Sequence, residues 1–185
     1  MKLLVAALDA ELVAFPAELP GFDRLVTGPG KMMATFALTR ALDANDYDEI
    51  VVVGTAGAID PRLESTVYEV TAAVQHDVAS FDGIVGEHVS LPARVDLGRD
   101  GLTIATGDSF VDDAVALESI RPLGASLVDM EVYAYIWVAQ QFGVPIRVLK
   151  SVSDRAQDDA RTDWRETVAA CSVQLRDLIR AEYGV

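Results

Sequence analysis

Three carboxylates in this chain stand where acid–base chemistry could be done. Glu11 follows the apolar run Leu3–Leu8, Glu131 opens the stretch Val132–Gln141, and Asp154 closes the run that begins at Ile146. In open α/β sheets, strand C-termini and helix N-termini line the ligand crevice, so all three positions face the region where such folds work. A carboxylic acid kept protonated can give a proton to a leaving group, and a carboxylate can take one from water. Each residue alone reads equally well as a first-turn helix acid, a turn cap or a solvated side chain. Two histidines and one cysteine do not make a zinc cluster, and no serine or cysteine is placed as an evident nucleophile.

The elements that must position these groups are legible in outline. From Ser126 to Asp154 the chain reads as a strand end, a helix, the connection Gly143-Val144-Pro145 and a second strand. The helix carries no charge between Glu131 and Gln141, so it is apolar nearly all round and must be buried. The following β-branched-rich run suits a strand buried on both faces of a largely parallel sheet. Further strands are expected over 2–8, 22–27, 49–53, 65–74 and 102–105. Helices are expected after Lys31, after the acidic pair Asp112-Asp113, and over 162–183, where Trp164, Val168, Cys171, Leu175, Leu178 and Ile179 form a stripe facing the sheet. The segment 80–100 reads as a loop with one short strand.

Several strand exits admit two readings. Gly28-Pro29-Gly30-Lys31 lacks nucleotide-motif spacing and is either a tight turn or a place where backbone approaches a ligand. Gly54-Thr55-Ala56-Gly57-Ala58 offers an open floor with backbone N–H groups and the Thr55 hydroxyl as donors, or else close sheet packing. Phe110 is core or an aromatic platform for a base, and His76 beside Asp77 is structural or at an interface.

Composition narrows the function classes. The 185 residues suffice for one domain, 1–185, with a sizeable core, and no low-complexity run suggests a linker. A formal charge of −14, from 29 acidic and 15 basic residues, argues against nucleic-acid binding. The apolar run at the N-terminus is too short for a signal h-region or a membrane span, and the lone Cys171 forms no internal disulfide, so a cytoplasmic protein with no membrane partner is expected.

These pieces, in this order, resemble the nucleosidase branch of the nucleoside phosphorylase family, most closely the methylthioadenosine/S-adenosylhomocysteine nucleosidases. The likeness rests on AALDAEL at 6–12, TGPGK at 27–31, GTAGAI at 54–59, QHD at 75–77, TGDSF at 106–110, VDMEVYA at 128–134 and SVSD at 151–154. It implies an α/β fold, a three-layer α/β/α domain with a central mixed sheet, and a homodimer. It also implies hydrolysis of the N-glycosidic bond of a purine nucleoside, without metal or cofactor. By the same resemblance Glu131 binds the ribose 2′- and 3′-hydroxyls and Met130 lies against the sugar. Asp154, held by Ser153, protonates the purine at N7, and Glu11 positions and activates the water. Phe110 and Val111 form the base pocket, and Thr55 lies near sugar and water. Asp129 stands on the sugar side where relatives usually carry a longer glutamate. Lys150 replaces a common arginine, and the stretch between Asp77 and Ile104 is short for the family.

The chemistry asks for such a set. Breaking an N-glycosidic bond passes through an oxocarbenium-like state, in which an acid neutralises the departing base while a carboxylate on the opposite face activates water. Two alternatives stand beside hydrolysis. A phosphorolytic relative would need arginines around phosphate, whereas Val52-Val53 precede Gly54 and the 6–12 loop has none. A non-catalytic nucleoside-binding relative would be signalled by loss of Glu11 or Asp154, and both are present.

Overall fold

Alternating side chains along the central strands divide the core into two layers. In β1 (Lys2–Ala6), Leu3 and Val5 point to one side and Leu4 and Ala6 to the other; in β3 (Glu49–Ala58), Ile50 and Val52 oppose Val51 and Val53 in the same way. This two-residue period is that of strands buried on both faces. Leu3, Val5, Ile50 and Val52 pack against α1 (Lys31–Ala44) and α3 (Val132–Phe142), whereas Leu4, Ala6, Val51 and Val53 pack against Leu175 and Ile179 of α4 (Ala160–Tyr183). The result is the expected helix–sheet–helix layering. The computed structural model describes residues 1–156 and 160–185. Among them, no helix is long and apolar enough to cross a membrane.

The remaining strands are β2 (Phe22–Val26), β4 (Val67–Gln75), β5 (Arg94–Asp96), β6 (Leu102–Thr106), β7 (Leu127–Asp129) and β8 (Ile146–Asp154). Their order is β2-β1-β3-β7-β6-β4-β5, with β8 pairing both β3 and β4. The sheet is mixed: β1, β2, β3 and β8 run parallel to one another, while β7 meets β3, and β8 meets β4, in antiparallel fashion. Because β8 bridges β3 and β4, the strands β3, β7, β6, β4 and β8 close a ring of pairings. The expectation of a central mixed sheet holds, and no local periodicity announces such a closure.

Helix ends follow local chemistry. Gly143 ends α3 with φ of +67°, a left-handed conformation natural to glycine, and Pro145 follows. Asp113 caps α2 (Ala114–Ile120), its Oδ1 accepting the Ala116 N–H at 2.8 Å. Between Gln75 and Leu102 the only strand is β5, in keeping with a loop carrying one short strand.

Candidate active site

The site forms where β1, β3, β6, β7 and β8 deliver their C-terminal ends. Glu11, Thr55, Phe110, Val111, Asp129, Met130, Glu131, Ser153 and Asp154, drawn from distant parts of the chain, all line one cavity of about 280 Å³. Pro29, Ser109, Trp164 and Arg165 complete its rim and walls.

Glu11 sits in a one-turn 3-10 helix, Asp9–Leu12, just beyond β1 and is 4% exposed, so the reading of a solvated surface acid is set aside. Its Oε2 accepts the N–H groups of Ala7 and Leu8, each at 3.1 Å, and its Oε1 accepts the Thr55 N–H at 2.7 Å and the Thr55 hydroxyl at 2.9 Å. Four donors thus hold a buried carboxylate that would otherwise be costly. The small residues of β3 make this possible. A Cβ on Gly54 would lie 2.9 Å from Glu11 Oε1 and 3.2 Å from Lys150 Nζ, and one on Gly57 would lie 2.9 Å from Asp154 Oδ1. Both readings of this stretch therefore hold at once: close packing here is packing against the site's own acids.

Asp154, at the last residue of β8, accepts the Ser153 hydroxyl on Oδ2 and the Ala156 N–H on Oδ1, each at 2.8 Å. Burial pushes its carboxyl above the ordinary aspartate value, outweighing those two hydrogen bonds, and Asp163 adds to the rise. Glu131, at the N-cap of α3, accepts the Gly30 N–H on Oε1 at 2.9 Å, which pins the turn that leads into α1. Burial and the neighbouring Asp129 carboxylate push Glu131 up to about 8, against the opposing pull of Lys150 and the Gly30 N–H.

The two departures from the family pattern touch each other. Lys150 Nζ lies 3.0 Å from Asp129 Oδ2, and each side chain is 2% exposed. Asp129 also accepts the Thr106 hydroxyl on Oδ1 at 2.7 Å and the Val132 N–H on Oδ2 at 3.0 Å, so it satisfies the first N–H of α3. A ligand would therefore meet Asp129 as a wall whose oxygens are already held. Burial lowers Lys150, but Asp129, Glu131 and Glu11 more than reverse this and leave it above the ordinary lysine value.

Three loops are clamped beside the cavity. Lys31 Nζ pairs with Asp77 at 2.6 Å and donates to Gln75 at 2.9 Å, Asp77 accepts the Asp108 N–H at 2.8 Å, and Asp108 accepts the Lys31 N–H at 2.7 Å. The TGPGK, QHD and TGDSF segments are thereby tied to one another. His76 lies outside the cavity lining and packs on Gly107, where a Cβ would come within 2.3 Å of its Nε2, so it has a packing role. Trp164 differs from expectation: instead of joining the stripe against the sheet, its indole N–H donates to the Thr55 hydroxyl at 3.0 Å and its ring walls the cavity.

With this geometry in place, the likeness to known proteins is specific. The sequence profile of the phosphorylase superfamily matches residues 99–181. The 5′-methylthioadenosine/S-adenosylhomocysteine nucleosidase of Shewanella halifaxensis is 32% identical over 179 residues, covering 82% of this chain and 76% of that protein. The S-adenosylhomocysteine nucleosidase of Streptococcus pyogenes, solved with 5-methylthiotubericidin, shares the fold with a TM-score of 0.85 at 22% identity, over 97% of this chain and 94% of the other. The futalosine hydrolase of Helicobacter pylori superposes with a TM-score of 0.88 at 20% identity, over 99% of this chain and 97% of the other. The chain belongs to the phosphorylase superfamily, in its nucleosidase branch.

Proposed function

We propose that the protein hydrolyses the N-ribosyl bond of a purine nucleoside, releasing free base and the ribose moiety, with 5′-methylthioadenosine and S-adenosylhomocysteine as first-choice substrates. The observation that carries this reading is the set of side chains that line the cavity. Glu11, Asp129, Glu131 and Asp154 line it, and among the described residues only one cationic side chain, Arg165, reaches its edge. A phosphate dianion would find no cluster of cations to hold it there, whereas water needs none. Asp154, pushed up by burial, suits the acid that protonates the departing purine. Glu11 serves as the fixed anion on the water side, Glu131 as the acceptor for the ribose diol, with Met130 against the sugar and Phe110 and Val111 beside the base.

The test is release of free base from methylthioadenosine, S-adenosylhomocysteine, adenosine and inosine in turn, first without phosphate and then with it. Release without phosphate is expected. Release only with phosphate would make the protein a phosphorylase, and silence in both conditions would point to a non-catalytic nucleoside binder.

Glu131 gives a pH signature. With the Glu131 carboxyl near 8, a diol that prefers its ionised form must displace a proton. Affinity for a nucleoside inhibitor with an intact diol should therefore rise from pH 6 to about 8 and then level off. Glu131→Gln should weaken affinity and flatten that profile; calorimetric titration that finds both unchanged removes the diol assignment.

In this reading the enzyme is a cytoplasmic homodimer. The dimer is supported by the apolar surface that α1 exposes, with Met32 81%, Met33 48% and Phe36 59% accessible. Sedimentation at twice the monomer mass is expected, and a stable monomer would remove this part of the proposal.

A further inference from the structure

The nucleosidase reading asks Glu11 to take a proton from water, yet its acceptor sites are already occupied. The N–H groups of Ala7, Leu8 and Thr55 and the Thr55 hydroxyl all donate to it. A carboxylate offers about four lone-pair sites. A water donating directly to Glu11 would have to evict one of these donors. Thr55 is in a different position. Its hydroxyl proton goes to Glu11 Oε1 at 2.9 Å, while its oxygen accepts the Trp164 indole N–H at 3.0 Å. A hydroxyl oxygen has two acceptor lone pairs. Trp164 takes one, and Thr55 lines the same cavity as Asp154 and Glu131, so the second is available to a molecule bound there.

Resting on the hydrolase reading, we infer that Thr55 is a catalytic proton relay between the attacking water and Glu11, and that Trp164 is the positioning residue that sets its direction. As the water oxygen bonds to C1′ and the bond from C1′ to the base breaks, the bonding pair leaves with the purine, which takes the Asp154 proton. The water gives one proton to Thr55 Oγ1, and Thr55 Oγ1 passes its own to Glu11 Oε1. Asp154 ends ionised and Glu11 protonated, and solvent exchange restores both. The indole N–H matters because a threonine hydroxyl is otherwise a free rotor. With a donor fixed on one side of the oxygen, its hydrogen must point elsewhere, and Glu11 is the acceptor in line. The indole also comes from a helix 109 residues away in sequence, so the relay is set by tertiary packing and is absent from any local motif.

The experiment is single-turnover hydrolysis of methylthioadenosine by wild type and by Thr55→Val, Thr55→Ser and Trp164→Phe, with inhibitor affinity measured in parallel. Wild type must first release base without phosphate. If it does not, the hydrolase reading fails and the relay with it. Thr55→Val keeps the shape and the Thr55 N–H but lacks the hydroxyl, and should slow the chemical step by about 10²-fold or more while inhibitor affinity stays within a few-fold. Thr55→Ser should restore most of the rate, and Trp164→Phe, with Thr55 intact, should lose about tenfold. In mixed light and heavy water, the wild-type rate should fall along a curve that reports three protons in motion, two in the relay and one from Asp154, where direct transfer from water to Glu11 would give two. Thr55→Val turning over within a few-fold of wild type, a loss confined to affinity, or an inventory of two protons or fewer would each overturn the relay. Should Thr55→Val fail to fold, the serine and phenylalanine variants with the inventory decide the matter.

Discussion

Asp154→Asn is expected to abolish base release while leaving a folded protein that is at least as heat-resistant as wild type. Loss of a positioned general acid costs on the order of 10²–10⁴-fold in rate. The stability half of the expectation follows from the direction of the shift. Burial raises the Asp154 carboxyl, so the folded state holds this proton more tightly than the unfolded chain does. The group therefore contributes stability below its unfolded value and loses it as pH rises through the raised one. Asparagine resembles the protonated form and can keep the Ala156 N–H and Ser153 hydroxyl as partners. At neutral pH the variant should thus melt no lower than wild type, and the alkaline limb of the wild-type rate profile should vanish with the activity. Turnover within a few-fold of wild type would end the assignment; a large drop in melting temperature would show that the ionised form is a structural requirement.

The second large effect concerns Lys150. Its ammonium, 2% exposed and 3.0 Å from Asp129, is the buried cation facing Asp129, Glu131 and Glu11. Removing one partner of a buried pair leaves the other charge uncompensated and typically costs about 3–5 kcal/mol. Lys150→Met should lose stability of that order in urea unfolding. Adding Asp129→Asn should recover part of it, because the amide oxygen can still accept from Thr106 or Val132. A single variant that loses less than about 1 kcal/mol, or a pair whose losses simply add, would mean that the ion pair is not what holds this corner together. The folded lysine stands above its ordinary value, so its contribution is full at neutral pH and is lost only on the alkaline side.

The parts of this structure that could be read from sequence are those with a local cause. The apolar helix Val132–Phe142 with Gly143 after it, the β-branched run of β8 and the alternating cores of β1 and β3 each carry their own periodicity. The acids at strand exits followed from where α/β folds place ligands, and the ordered motifs brought Met130, Phe110 and Ser153 along with them. What escaped had causes spread over the chain. Lys150 reads as an ordinary charge inside an apolar strand until Asp129 is seen 3.0 Å away. Trp164 occupies a core position in the amphipathic pattern of α4, and only tertiary contact turns its N–H toward Thr55. The closing of the strand ring depends on β4 meeting β8, a pairing of segments remote in sequence.

β3 stands at the centre of all of this. It pairs with β1, β7 and β8, and its Gly54, Thr55 and Gly57 abut Glu11, Lys150 and Asp154. For the history of such a protein this means unequal freedom. Side chains at the rim, such as Ser109 and Arg165, have room to vary one at a time and retune which nucleoside enters. β3 can change only in concert with the acids on either side, so new specificities would arise around an inherited, nearly immovable spine.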